Sequence, residues 1–136
     1  MLGDKIGVLT GTVTGQRVLH SGDGPQVETT FEVNGDFSGV ATTMMGTYWA
    51  KVRPDGSLYG ECPQQGVIMT SDGGVGTWAA AGLGWFTGDG TGTEFRGAVY
   101  LLSAPPALAH LSRCALVYEW VVDGKGNATG AFWAWS

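Results

Sequence analysis

Six clusters combining Gly with Asp, Asn or Pro break this chain at short intervals: Asp23-Gly24-Pro25, Asn34-Gly35-Asp36, Pro54-Asp55-Gly56, Ser71-Asp72-Gly73-Gly74, Gly88-Asp89-Gly90 and Asp123-Gly124-Lys125-Gly126-Asn127. Asn and Asp tolerate positive φ and Gly adopts it freely, so such clusters suit hairpin loops. Between them run segments rich in Val, Thr, Trp, Tyr and Phe with period-two alternation, the pattern of a pleated, half-buried surface. The pattern predicts strands near 5–19, 26–33, 37–44, 46–53, 57–61, 65–70, 75–87, 93–103, 114–122 and 128–135. Helix signals are nearly absent. The exception is Ala104-Pro105-Pro106-Ala107-Leu108-Ala109-His110-Leu111, whose prolines are placed to open one short helical turn near 105–111.

Eight to ten short strands joined by tight turns make an antiparallel meander. A meander of that length must close or split into two sheets, because open edges invite aggregation. Glycine placement favours closure. In the segment from Thr77 to Phe86 one face reads Trp78, Ala80, Gly82, Gly84, Phe86, and Gly7, Gly11 and Gly15 interrupt the first strand in the same way. Glycine weakens a strand unless a bend or a close backbone approach needs it. The chain holds 24 glycines in 136 residues, without a collagen-like period and with 11% aromatic residues, so it is neither fibrous nor low-complexity. The fold expected is all-β: a single antiparallel up-and-down β-barrel of about eight strands, residues 1–136 forming one domain, with a two-sheet sandwich as the alternative.

Seven basic against twelve acidic residues give a net charge of −5, which argues against a nucleic-acid partner or an anionic membrane surface. No apolar run approaches the ~20 residues of a membrane-spanning helix, and Met1-Leu2-Gly3-Asp4-Lys5 opens no signal-peptide core, so a cytoplasmic protein is the default expectation. Cys62 and Cys114 lie far apart, with only His20 and His110 as further soft ligands, so no metal-ligand spacing is present and no cofactor is implied. His20-Ser21-Gly22-Asp23 holds the residue types of a catalytic triad, but adjacency in a loop is not triad geometry. The stretch from Gly74 to Ala79 formally fits a dinucleotide fingerprint, yet it leads from a turn into a strand rather than a helix.

Charged residues inside strands carry more information. Glu94, Arg96 and Tyr100 share one face of their strand, Glu119 sits among Leu116, Val117, Tyr118, Trp120 and Val121, and Glu61 shares a face with Tyr59. Each such charge either faces water or points into a cavity, paired there against its desolvation cost. The aromatics pose the same choice, because neighbours such as Tyr48-Trp49 and Trp85-Phe86 must point to opposite faces. Some line an interior, and those outside need a cover, which a homo-oligomer interface supplies most simply. Trp133 and Trp135, sharing a face at the C-terminus, are the candidates for it.

Tyr59-Gly60-Glu61, Gly66-Val67-Ile68-Met69-Thr70, Gly84-Trp85-Phe86-Thr87-Gly88 and Arg96-Gly97-Ala98-Val99-Tyr100 resemble consecutive hairpin strands of the allene-oxide-cyclase-like, calycin-like barrels. Gly46-Thr47-Tyr48-Trp49 with Arg53-Pro54-Asp55-Gly56 is similar to a small bacterial family near them, and glycine-punctuated strands occur also in lipocalin-like and dirigent-like barrels. The resemblance implies an eight-stranded barrel with an elongated apolar cavity, dimers or trimers, and cyclase or isomerase chemistry on unsaturated or polyketide-like substrates. No catalytic residue carries over from that family by alignment. From the residues themselves, the expectation is a barrel holding one small hydrophobic molecule and promoting its cyclisation or isomerisation. Arg96 would contact an oxyanion or carboxylate, Tyr48 and Tyr100 would donate hydroxyls, and Glu61 or Glu119 would serve as acid–base group if burial raises its pKa. Trp78, Phe86, Tyr118 and Trp120 would form the aromatic walls. Two other readings stand beside it: a non-catalytic carrier or sensor of a lipophilic ligand, and a structural oligomerisation module with a filled core.

Overall fold

Alternation of apolar and polar residues is realised as eight antiparallel strands: β1 Lys5–Leu19, β2 Gln26–Phe37, β3 Val40–Val52, β4 Leu58–Thr70, β5 Val75–Thr87, β6 Gly92–Ser103, β7 Ala115–Val122 and β8 Asn127–Trp135. The structure, a computed structural model, describes residues 3–88 and 90–135, so Met1, Leu2 and the Asp89 of the expected Gly88-Asp89-Gly90 turn lie outside the described residues. Each strand pairs with the next, and β1 pairs with β8, so the meander closes on itself as an up-and-down barrel. The sandwich alternative falls away. Among the described residues the one short helical piece is the 3₁₀ turn Pro106–Leu111 between β6 and β7, where the two prolines placed it.

Ten expected segments become eight strands because two breaks are bulges. Segments 37–44 and 46–53 are one strand, β3, whose register against β4 shifts between Gly46 and Trp49. Segments 57–61 and 65–70 are likewise β4, kinked between Cys62 and Gly66 around Pro63, with Gln64 at φ 59°. Proline is tolerated in a sheet at such a bulge, where no ladder hydrogen bond is needed from it. Asn34-Gly35-Asp36, expected as a turn, lies inside β2; the chain reverses at Ser38 (φ 55°) and Gly39 (φ 81°), two positive φ angles in succession as a tight hairpin requires.

The inner face is set by parity. It carries Leu9, Phe31, Val33, Phe37, Met44, Leu58, Cys62, Ile68, Trp78, Phe95, Val99, Leu116, Trp120 and Phe132, all buried. Bulky rings fit there because glycines clear space opposite them: the Trp78 indole lies against Gly66 and Gly46, where a Cβ would overlap it, and its Nε1–H donates to the Val67 carbonyl at 3.1 Å. The two ends of the tube differ. At one end the 3₁₀ turn folds over the opening with Leu108 and Leu111 buried, and Ser38 Oγ lies 2.7 Å from His110 Nε2. At the other end, the loops after β1, β3, β5 and β7 leave the mouth open.

Candidate functional site

Two connected spaces run down the barrel. The open end is a vestibule of about 260 Å³ with walls that include Val27, Ala50, Val52, Leu58, Phe86 and Val122. Below it lies a deep cavity of about 60 Å³ among Phe31, Met44, Cys62, Trp78, Ala80, Val99, Tyr118, Trp120 and Phe132. Tyr48 and Phe95 line both, as the floor of one and the roof of the other. The 60 Å³ space holds water or a small group rather than a whole substrate. The vestibule is the larger receptacle.

The polar groups on this axis come from four strands. Gln16 Nε2 on β1 donates to Thr29 Oγ1 on β2 at 3.3 Å, and Trp120 Nε1 on β7 donates to the Tyr48 hydroxyl on β3 at 3.2 Å. Thr29 is buried beside the Tyr48 phenol, and its hydroxyl acts to lower the Tyr48 pKa. The Tyr48 oxygen thus accepts from Trp120, and its own O–H remains a donor at the border of the two spaces. Burial nevertheless pushes the Tyr48 pKa up, so the phenol stays protonated at neutral pH.

Deeper in, Tyr118 crosses a wall without side chains, since Gly60, Gly82 and Gly97 pair with one another across β4, β5 and β6 and a Cβ at Gly82 would collide with the Tyr118 hydroxyl. Burial, and next to it the neighbouring Tyr48, raises the Tyr118 pKa, and its hydroxyl has no hydrogen-bond partner among the described residues. Burial likewise pushes the Cys62 thiol up to about 11, so it is an unreactive thiol at neutral pH. Both cysteines are free. Among the described residues no group of His, Cys, Asp and Glu is arranged to hold a metal.

Three expected contacts are placed elsewhere, and a fourth, Glu61, borders the deep cavity with its carboxylate held on an outward tyrosine. Arg96 and Glu119 were expected inside, and both are outside: they pair across β6 and β7 at 3.9 Å with side chains 65% and 51% exposed, Arg96 also lying 5.5 Å from the Trp85 ring. Parity is the reason, since Phe95, Gly97 and Val99 take the inner positions on β6 and Tyr118 and Trp120 take them on β7. Tyr100, two residues on from Ala98, is outside for the same reason and half exposed. Glu61, between Gly60 and Cys62, borders the deep cavity, while its carboxylate accepts a hydrogen bond from the outward Tyr59 at 3.0 Å. That bond raises the Tyr59 pKa. Tyr48, Trp78, Tyr118 and Trp120 do surround the axis, and Phe86 stands at the mouth. Gln16 and Thr29 escaped notice because their link to Tyr48 exists only once three strands are in register.

No family model matches the chain, and no curated protein matches its sequence. Solved structures do match in shape. A conserved protein of unknown function from Rhodopseudomonas palustris superposes with a TM-score of 0.78 at 14% identity, covering 98% of this chain and 97% of its own. A protein of unknown function from Clostridium acetobutylicum gives 0.79 at 15% identity, covering 98% of each chain. A β-barrel-like protein from Acinetobacter baumannii gives 0.77 at 13%, covering 99% of this chain and 96% of that one. At such identities the likeness speaks for the barrel alone. The resemblance to allene-oxide-cyclase-like barrels is therefore supported as far as a small β-barrel, and no such family is named by these matches. No helix among the described residues is long and apolar enough to cross a membrane.

Proposed function

We propose that the barrel binds one small, largely apolar molecule carrying a hydrogen-bond acceptor, which enters through the open end and lies in the vestibule with its acceptor on the Tyr48 hydroxyl. The carrying observation is the Trp120 Nε1–H donating to the Tyr48 oxygen at 3.2 Å where the two spaces meet, which leaves the Tyr48 O–H as a donor for a ligand. Apart from Glu61 beside the deep cavity and Asp123 at the mouth, the residues that line the two spaces are uncharged and mostly apolar. A ketone, ester or enone is complementary to the Tyr48 donor in such a lining. Together the two spaces approach the lower end of the roughly 300–1,000 Å³ typical of ligand pockets, which sets the size at about that of a ten-carbon molecule.

On this reading the chain is a carrier or sensor in a cytoplasmic setting, and the chemistry expected of an inward Arg96 with an acidic partner has no place in it. A filled-core structural module is the second reading, favoured by the close tilted contact of the Phe31 and Trp120 rings, centroids 4.5 Å apart, in mid-barrel. Titration of 2-nonanone against n-nonane, followed by tryptophan fluorescence and calorimetry, separates the two. Saturable ketone binding, preferred over the alkane by roughly 5- to 10-fold and losing that preference in Tyr48→Phe, is the result expected of one good hydrogen bond. If neither compound binds and native mass spectrometry finds no co-purified ligand, the filled-core reading replaces this one.

A further inference from the structure

The outer wall of the barrel is not uniform. On β1 and β2 it shows mainly polar residues to water, Thr10, Thr12, Glu32, Asn34 and Asp36, with Val8 and Val18 as exposed apolar exceptions. Over β5 to β8 it turns apolar: Leu83, Trp85, Tyr100, Leu102, Val121 and Trp135 are all exposed. Set on four adjacent strands, they form an exposed apolar field of the kind that marks an interaction surface. Small residues flatten the centre, because Ala81 pairs with Ala98, Ala98 with Val117, and Glu119 with Ala131. Two such sheets can approach closely without interlocking side chains.

One row across this face runs Leu83, Arg96, Glu119, Ala131 by direct strand pairing. It places one positive and one negative group side by side in the middle of an apolar field. Within the chain they meet only at 3.9 Å and stay largely exposed, so each retains unused hydrogen-bonding capacity. A two-fold axis between them sets Arg96 of one copy on Glu119 of the other, twice over. That is the self-complementarity an isologous interface requires. A lipid surface fits poorly, because the β5–β8 face holds an exposed ion pair at its centre.

We infer that the β5–β8 outer face, with reciprocal Arg96–Glu119 pairs at its centre and Trp135 toward its edge, is the docking surface for a second copy of this chain. The inference stands independently of the pocket. It keeps the expected homo-oligomer and places the interface over four strands rather than on Trp133 and Trp135 alone. Trp133 is partly covered by Lys5, whose Nζ lies 5.3 Å from its ring.

Sedimentation velocity on the full chain tests it, with circular dichroism confirming that each variant folds. The wild type should run as a dimer. Arg96→Glu alone and Glu119→Arg alone should each weaken self-association at least 100-fold, since like charges then face each other across the axis. Mixing the two variants should restore a dimer, because the carboxylates of one meet the guanidinium groups of the other. A monomeric wild type, a trimer, or a dimer indifferent to both reversals would overturn the proposal. So would two monomeric variants that stay monomeric when mixed.

Discussion

The plugged end and the open end of this barrel are walled by the same eight strands, yet they are built for different ends. At the plugged end the inner residues are Leu9, Phe37 and Phe132, with Phe37 and Phe132 in edge contact at 5.2 Å, and the 3₁₀ turn adds Leu108 and Leu111 as a stopper. The polar contacts there are local ones at the rim, such as Thr42 to the Val40 carbonyl, Thr70 to Asp72, and Ser38 to His110. At the open end Val27, Ala50, Val52 and Val122 are smaller and only half buried, and the polar chain of Gln16, Thr29 and Tyr48 descends among them. Stability is concentrated where the tube is full, and capacity for a ligand where it is not.

Truncation at the two ends should therefore give opposite kinds of result, beginning with the largest. Leu108 is fully buried beneath the turn, and Leu108→Ala leaves a void that the closed barrel wall cannot collapse around. The expected loss is about 2–5 kcal/mol in a guanidinium titration, with the vestibule's ligand binding unchanged at temperatures where the variant is folded. A loss well under 1 kcal/mol would mean that the stopper is loosely seated, and the contrast between the ends would dissolve.

The next effect is chemical. The Cys62 thiol, ordinarily near 9.0, is held up at about 11 by burial in the full half of the barrel. Below pH 9 both folded and unfolded chains keep this proton, and its contribution to stability is complete. Between pH 9 and 11 the unfolded chain releases the proton while the folded chain retains it, so stability falls as pH rises, by about 2–3 kcal/mol in all. The buried Tyr48 and Tyr118 phenols add to the decline from near pH 10 upward, since burial raises both. Midpoints measured from pH 8 to 11 should start falling near pH 9 in the wild type and about one pH unit later in Cys62→Ala. A flat profile to pH 10.5 would show that the thiol is hydrated, and the deep cavity open to water.

The sequence alone carried the barrel, because closure follows from turn spacing and strand glycines that are visible locally. It misread the direction of Arg96. In Glu94-Phe95-Arg96-Gly97 the alternation is ambiguous over four residues, and Gly97 offers no side chain to break the tie. The longer reading, Phe95, Gly97, Val99, Leu101, resolves it: an unbroken small-or-apolar file belongs inside, and Arg96 goes out with Ala98 and Tyr100. A one-residue choice of face moves every candidate on the strand together. Pro63 was misleading in another way, since a bulge and a strand end look alike in one dimension. The Gln16–Thr29–Tyr48–Trp120 arrangement could not have been read at all. Its members come from four strands, and no local pattern connects them.

The smallest effect expected is also the one that bears most directly on the open end. Val52 stands in the vestibule wall, half buried, opposite Leu58 on β4. Val52→Ala removes two methyl groups that already border open space, so little packing is lost and the stability cost should stay below about 1 kcal/mol. The same deletion widens the mouth. A ketone longer than 2-nonanone by two carbons should then gain affinity by roughly 3-fold while 2-nonanone itself changes little, the worth of newly accommodated methylenes partly offset by lost wall contact. If Val52→Ala instead destabilises the chain as much as Leu108→Ala, the vestibule is packed core rather than receptacle, and the two ends of the barrel are alike after all.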